Sequence, residues 1–204
     1  MIIYQIAPEA LSENNMEEIE VKFLEVDIAN LKSKLENFGA EFVGNFNYKR
    51  KVYDFPGLPL DKNNSWVRVR DEGDKIVMTY KQRLDVGNHI MGDKGMKEIE
   101  IIVSDFNLAD QFLKSIGMIV KFYEENKRER YILDDVEIDI DYWPMIKPYV
   151  EIEGNNWDSV EKISEKLGFV WDKHLKCSTM QIYEMNGINE NDYSVITFNE
   201  QIKK

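Results

Sequence analysis

The sequence predicts an α+β fold in which helices cover one face of a β-sheet. Two observations lead to this prediction. A unit made of a strand, a helix and a closing glycine occurs three times along the chain. In addition, at least six candidate strands alternate apolar with charged residues, which gives each strand one apolar and one charged face. The chain of 204 residues is long enough for one domain with a sizeable core.

Each copy of the repeated unit begins with an alternating strand and ends on a glycine. Glycine is typical of the left-handed position just after a helix, because it has no Cβ to clash there. The three copies span residues 18–39, 98–117 and 150–168.

The helix of each copy carries an apolar stripe, which we expect to pack in the core. Asp27 is the candidate N-cap of the first helix, and Asp158 or Ser159 that of the third. In chain order the stripes are Ile28, Leu31, Leu35 and Phe38; Leu108, Phe112 and Ile116; and Val160, Ile163 and Leu167.

The charged faces of the candidate strands hold residues of both signs. They collect the carboxylates Glu18, Glu20, Glu98, Glu100, Asp139, Asp141, Glu151 and Glu153, and the bases Lys22, Arg68, Arg70, Lys81, Arg83, Arg128 and Arg130. Such faces form either a solvated sheet surface with cross-strand ion pairs or the lining of a barrel. The abundance of arginine and of Glu-x-Glu pairs favours a lining, and both interpretations stay open at this point.

A cavity lined in this way suits a polyphosphate together with a divalent metal ion. The planar fork of arginine donors matches phosphate oxygens. Paired carboxylates suit Mg²⁺ or Mn²⁺, hard cations that complete their coordination with water and phosphate oxygens. Zinc is disfavoured, because the two histidines, His89 and His174, are not spaced as a pair of ligands.

The composition excludes several classes of protein. Asp and Glu outnumber Lys and Arg by 38 to 26, and the net charge of -12 disfavours general binding to nucleic acid or to an anionic membrane. No apolar run reaches the length of a membrane span, and no cationic segment precedes the apolar residues at the N-terminus. The single cysteine, Cys177, allows no internal disulfide. We therefore expect a cytoplasmic protein.

An ordered series of motifs resembles the CYTH superfamily, the triphosphate tunnel metalloenzymes, which include class IV adenylyl cyclases, thiamine triphosphatases and inorganic triphosphatases. The series runs Glu18-x-Glu20-x-Lys22, Val67-Arg68-Val69-Arg70, Met78-Thr79-Tyr80-Lys81, Lys97-Glu98-Ile99-Glu100, Lys127-Arg128-x-x-Tyr131, Asp141 and Val150-Glu151-Ile152-Glu153. The resemblance implies an eight-stranded antiparallel β tunnel, a closed or nearly closed barrel with helices packed outside. It places a CYTH domain at residues 16–185, between an N-terminal extension (1–15) and a C-terminal tail (186–204).

The resemblance also implies roles for individual residues around Mg²⁺ or Mn²⁺. Residues in the catalytic positions are Glu20, Asp141 and Glu151. Residues in the metal-binding positions are Glu18, Glu20, Glu151 and Glu153. Residues in the substrate-binding positions are Lys22, Arg68, Arg70, Lys81, Arg128, Arg130 and Lys176, of which Lys176 resembles a base that closes over the substrate.

The function implied first is metal-dependent hydrolysis of a triphosphate such as tripolyphosphate, ATP or thiamine triphosphate. A class IV adenylyl cyclase, which converts ATP to cyclic AMP and pyrophosphate, is the alternative. A non-catalytic binder of polyphosphate or nucleotide is a further alternative, and the paired carboxylates argue against it because a simple anion binder gains little from them. A homodimer is left open.

Overall fold

The computed structural model describes residues 19–84 and 95–204. These residues form ten strands and five α-helices. The strands are β1 (Ile19–Phe23), β2 (Glu41–Asp54), β3 (Ser65–Asp71), β4 (Ile76–Leu84), β5 (Gly95–Val103), β6 (Ile119–Leu133), β7 (Val136–Tyr142), β8 (Tyr149–Gly154), β9 (Tyr193–Ile196) and β10 (Gln201–Lys203). The helices are α1 (Ile28–Asn37), α2 (Pro59–Lys62), α3 (Phe106–Ser115), α4 (Trp157–Lys166) and α5 (Thr179–Met185).

Eight of the strands form a continuous antiparallel series in the order β1-β8-β7-β6-β2-β3-β4-β5. Within the described residues, β1 and β5 at the two ends share no ladder hydrogen bonds, so the tunnel is nearly closed rather than fully closed. The predicted eight-stranded antiparallel tunnel with outer helices is thereby confirmed. No helix in the described parts of the chain is long and apolar enough to cross a bilayer.

The first and third repeats pack together on the outside of the sheet. Leu31 and Leu35 of α1 share one core with Ile163 and Leu167 of α4 and with the apolar faces of β1, β7 and β8. Asp27 caps α1 as predicted, its side chain accepting a hydrogen bond from the backbone N–H of Asn30 at 3.0 Å.

The N-cap predicted for the third helix is wrong. Asn156 caps α4, in place of Asp158 or Ser159, and its side chain accepts from the Ser159 N–H at 2.8 Å. Asn156 has the extended backbone that an N-cap requires, and the helix has already begun at Trp157.

In the second repeat, the prediction that the apolar stripe of the helix packs in the core is wrong. The predicted core stripe of α3 is largely exposed: Leu108, Phe112 and Ile116 are 60%, 59% and 52% exposed. Instead, α3 turns Leu113 and Asp110 toward the sheet, where the Tyr53 hydroxyl donates to Asp110 at 2.9 Å. This buried polar anchor fixes the rotation of the helix, and hydrophobicity alone could not predict it.

The outer face of β5 is also uncovered. Ile99 and Ile101 lie opposite the charged face of the strand as alternation predicted, yet both are about half exposed. The reason is that α3 packs chiefly against β3 and β6 rather than over β5.

The chain after the last repeat adds two short strands to the sheet. Within residues 186–204, predicted as a C-terminal tail, β9 pairs in parallel with β6 through Tyr123 and Glu124, and β10 pairs with β9. A short 3-10 helix, Glu190–Asp192, precedes β9 and carries the buried side chain of Glu190. The domain boundary at residue 185 stays a prediction.

Candidate functional site

The charged faces of the strands enclose a cavity of about 930 Å³, so the interpretation as a solvated sheet surface is wrong. Every predicted site residue within the described chain lines this cavity. These residues are Glu20, Lys22, Arg68, Arg70, Lys81, Arg128, Arg130, Asp141, Glu151, Glu153 and Lys176. Glu18, predicted as a metal ligand, lies outside the described residues.

One wall of the cavity is built from opposite charges on β1 and β8. The two strands pair antiparallel with Lys22 directly opposite Glu151, and the Lys22 Nζ lies 3.1 Å from Glu151 Oε1. Glu20 also binds this ammonium group. Burial acts to lower the pKa of Lys22, but the charges of Glu151 and Glu20 outweigh it and raise the pKa. Burial likewise opposes ionisation of Glu151, yet Lys22 and then Arg128 lower its pKa to about 2.

The next part of the wall is organised around Arg128 of β6. Its Nε donates to Asp141 Oδ1 on β7 at 2.7 Å, and its Nη atoms contact Asp139 and Glu151. Burial raises the pKa of Asp141 to about 7, with Arg128 opposing and Glu151 reinforcing the rise. One arginine therefore contacts three crowded carboxyl groups, those of Asp139, Asp141 and Glu151.

Glu137 is a cavity residue that the sequence analysis did not single out. It lines the cavity beside Arg130, whose Nη2 lies 2.6 Å from a carboxylate oxygen of Glu137 and 2.8 Å from one of Asp139. Burial and the charge of Asp139 raise the pKa of Glu137 to about 7. Glu137 precedes Asp139 by two residues on β7 and so shares its face, and this spacing could have identified it from the sequence.

The opposite wall, on β2 and β3, carries three arginines, and two of them have no carboxylate within ion-pair distance in the described residues. Arg50 of β2 lies directly opposite Arg70 of β3, and Arg68 follows on the same face. Burial lowers the pKa of Arg50, and burial together with Arg70 and Arg50 lowers that of Arg68 to about 9. Within residues 19–84 and 95–204, neither Arg50 nor Arg68 forms an ion pair, and the Nε of each has no hydrogen-bond partner. Only Arg70 has a carboxylate partner there, Glu72.

The remaining predicted residues lie at the rims of the cavity. The Lys81 Nζ on β4 is 2.9 Å from Glu98 on β5, and Glu98 is exposed. Lys176 precedes α5, in a segment whose Leu175 exchanges two backbone hydrogen bonds with Lys22. The Lys176 ammonium group lies 3.8 Å from the centre of the Trp157 ring.

The donor chemistry of β1 and β8 fits a hard divalent cation. Glu20 and Glu153 lie directly opposite each other, Glu151 is next along the same face, and all three side chains line the cavity. No group of three or more His, Cys, Asp or Glu side chains in the described chain is arranged as a ready-made metal site. An ion here would therefore take few protein ligands and complete its coordination with water and phosphate, as Mg²⁺ commonly does.

The fold is shared by solved structures of low sequence identity. A protein from Pyrococcus horikoshii OT3, PH1012, aligns with a TM-score of 0.63 and 24% identity over 79% of this chain and 96% of its own. A proposed adenylate cyclase of Vibrio parahaemolyticus aligns with a TM-score of 0.67 and 12% identity over 82% and 98% of the two chains. The Hippeastrum protein HpAC1, whose dominant activity is that of a triphosphatase, gives 0.57 and 14% over 84% and 96%.

Sequence comparison gives the family. A comparison with curated proteins finds no match. The CYTH domain model, however, matches residues 16–178, which is most of the chain and includes every strand of the antiparallel series. This chain therefore belongs to the CYTH domain family.

Proposed function

We propose that the cavity binds a triphosphate and, with a divalent metal ion, hydrolyses it. The observation that carries this proposal is the positive wall of Arg50, Arg68 and Arg70. In the described residues Arg50 and Arg68 have no ion-pair partner, which is unfavourable for guanidinium groups removed from water, so this wall is expected to have an anionic ligand. Several guanidinium groups on neighbouring strands suit a chain of phosphates, because each offers a fork of donors to phosphate oxygens.

The acidic wall supports a metal site next to the phosphates. Glu20, Glu151 and Glu153 would hold Mg²⁺ or Mn²⁺, together with Glu18 by the sequence motif. When bound, such an ion neutralises phosphate charge and polarises the phosphoryl group that is attacked. Lys22 forms ion pairs with Glu20 and Glu151, so we expect this ammonium group to turn toward phosphate when the carboxylates take a cation.

Asp141 has the properties of a group that handles the proton of the attacking water. It is fully buried, its pKa is raised to about 7, and it lies on the cavity wall beside Glu151. Arg128 fixes the orientation of its carboxyl group through two hydrogen bonds. A carboxyl group that changes protonation near neutral pH is well matched to general acid–base catalysis.

The assay for this function also separates the alternative reactions. The protein is incubated with Mg²⁺ or Mn²⁺ and tripolyphosphate, ATP or thiamine triphosphate, and the products are separated by chromatography. Orthophosphate as a product supports hydrolysis. Cyclic AMP with pyrophosphate from ATP would make the protein a cyclase, and binding without any product would make it a non-catalytic binder.

Glu36→Gln, on an exposed position of α1, is the matched control for the tunnel glutamates in this assay. It removes the same charge without touching the cavity, so its product yield should equal that of the wild type. We also propose a cytoplasmic location, where such triphosphates are available as substrates.

A further inference from the structure

The C-terminal segment adds a buried carboxyl group next to β6, a strand of the tunnel. β9 pairs in parallel with β6 at Tyr123 and Glu124. The 3-10 helix just before β9 carries Glu190, which lies beyond residues 16–178, the part of the chain matched by the family model. Glu124 is 3% exposed and Glu190 is 6% exposed. Two glutamates that are far apart in the sequence are therefore both removed from water here.

The carboxyl groups of Glu124 and Glu190 share a proton. Burial, the negative charge of Glu124 and a hydrogen bond to Glu124 raise the pKa of Glu190 well above its usual value. Glu190 is therefore protonated at neutral pH and donates to Glu124. The charges of Arg50 and Lys121 oppose this rise, and Lys121 is itself held by Asp61, whose Oδ1 lies 2.5 Å from its Nζ. Glu124 thus has a neutral acid as its partner.

Arg50 of the positive wall lies directly opposite Glu124 in the pairing of β2 with β6. Within residues 19–84 and 95–204, however, the two side chains form no ion pair. Arg50 instead donates to Asn126, and its guanidinium group lies 4.5 Å from the centre of the Trp143 ring. Arg50 Nε and Glu124 Oε1 are both buried without a hydrogen-bond partner in this part of the chain. A donor and an acceptor on opposed residues are therefore both unused.

An ion pair between Arg50 and Glu124 would compete with phosphate for the arginine. The Cβ atoms of opposed residues in an antiparallel pair are about 5 Å apart, so long side chains there can meet. A buried carboxylate without a hydrogen-bond donor is strongly attracted to a guanidinium group, because leaving either charge unmatched is unfavourable. The hydrogen bond from Glu190 satisfies Glu124 and so reduces this attraction.

Resting on the function proposed above, we propose that Glu190 is a positioning residue for triphosphate binding, whose hydrogen bond to Glu124 keeps that carboxylate from drawing Arg50 out of the positive wall. Glu190 acts through Glu124 and does not touch the phosphates. The C-terminal segment thereby contributes to the binding site, although it lies beyond the part matched by the family model.

The test measures the dissociation constant of tripolyphosphate by calorimetry without divalent metal, so that no turnover occurs. Glu190→Leu removes the donor but keeps a side chain of similar volume. It should raise the dissociation constant about tenfold, the usual effect of losing hydrogen bonds to a charged group. Glu190→Gln keeps an N–H donor for Glu124 and should bind within about twofold of the wild type. Glu200→Leu, on an exposed position of the same segment, is the control and should bind like the wild type.

A double variant distinguishes positioning from a structural role. Glu124→Leu combined with Glu190→Leu replaces both members of a buried hydrogen-bonded pair by apolar groups, which is often nearly neutral for stability. With no carboxylate opposite Arg50, the arginine stays in the positive wall, so the double variant should recover wild-type binding. A purely structural defect of Glu190→Leu would not be repaired by this second substitution.

The outcomes separate this inference from the proposed function. If tripolyphosphate binds Glu190→Leu as tightly as the wild type, or binds the double variant as weakly as Glu190→Leu, the inference is overturned while the proposed function stands. Glu190→Ala is a second variant without the donor. If neither it nor Glu190→Leu shows a cooperative thermal transition, Glu190 is needed for folding and the positioning role is rejected. If tripolyphosphate does not bind the wild type, the proposed function fails and the inference fails with it.

Discussion

Lys22 and Glu151 face each other across the pairing of β1 and β8, with 3.1 Å between Nζ and Oε1 inside the cavity. Their contact shows how part of the tunnel wall balances its charge. On the side formed by β1, β8, β7 and β6, cations and carboxylates on neighbouring strands neutralise each other. On the side formed by β2 and β3, Arg50 and Arg68 have no such partner in the described chain. We propose from this asymmetry that phosphate binds on the second side and the metal on the first.

Replacing Arg68 by methionine should stabilise the empty protein and weaken triphosphate binding. The substitution removes a partly buried charge that has no ion-pair partner within the described residues, and it keeps a side chain of similar length. We expect the free energy of unfolding to rise by about 1 to 3 kcal/mol. The dissociation constant for tripolyphosphate should rise by roughly 10- to 100-fold, the usual effect of losing hydrogen bonds to a charged group.

Chemical denaturation and calorimetry measure the two effects of Arg68→Met. Lys49→Met serves as the control, because Lys49 is exposed on the neighbouring strand β2 and does not line the cavity. Loss of stability together with unchanged binding would show that Arg68 has a structural role instead.

Glu20→Gln should impair the use of the metal while leaving the fold intact. The change keeps the size of the side chain but removes one of the carboxylates that would hold the cation, so turnover should fall by about 100-fold or more. A higher Mn²⁺ concentration should restore part of the activity, since the defect lies in metal affinity. Wild-type turnover at low Mn²⁺ would contradict the assignment of Glu20 as a ligand.

The pairing of Glu151 predicts a specific dependence of stability on pH. The folded-state pKa of Glu151 is lowered from 4.5 to about 2, so its contribution is fully present above about pH 4.5 and is lost as the pH falls toward 2. The difference in unfolding free energy between the wild type and Glu151→Gln should therefore shrink across this range. This stability difference should change by at most roughly 3 kcal/mol, because one unit of pKa shift corresponds to about 1.4 kcal/mol.

Urea denaturation at a series of pH values tests the prediction for Glu151. Glu165→Gln provides the control, because Glu165 is exposed on α4. Its stability should run parallel to that of the wild type. Parallel curves for Glu151→Gln as well would contradict the pairing with Lys22.

The acidic wall could be predicted from the sequence because it consists of short, regular strands. In β1 and β8, strict alternation places Glu20, Lys22 and Glu151 on one face, and the structure brings them together. The positive wall was only half predicted. Arg50 was missed because Tyr48 and Val52 share its face of β2 while its neighbours Lys49 and Lys51 are also charged, so the sequence shows no alternation of apolar with charged residues there.

The sequence analysis also failed for residues whose positions are set by buried polar contacts. The stripe of Leu108, Phe112 and Ile116 has good helical spacing, but the neighbouring face of α3, which carries Asp110 in contact with Tyr53, packs inward instead. Glu190 lies on a 3-10 helix far along the chain from Glu124, so only the folded structure shows that both carboxyl groups are buried.

Ligand binding should stabilise the tunnel, and the size of the effect should depend on the positive wall. A triphosphate would bridge β2 and β3 to the metal on β1 and β8, connecting strands at the two sides of the nearly closed sheet. Ligand at about 100 times its dissociation constant adds about 2.7 kcal/mol of stability. For a chain of this length that corresponds to a rise in Tm of roughly 5 to 10 °C.

Tripolyphosphate with Mg²⁺ should raise Tm more than either ligand alone, because the cation and the phosphates neutralise each other's charge in the tunnel. In Arg68→Met the rise at the same ligand concentration should be much smaller, whereas in Lys49→Met it should be unchanged. If tripolyphosphate raises the Tm of Arg68→Met as much as that of the wild type, the phosphates do not bind on the β2–β3 wall, and the proposed division of the tunnel is wrong.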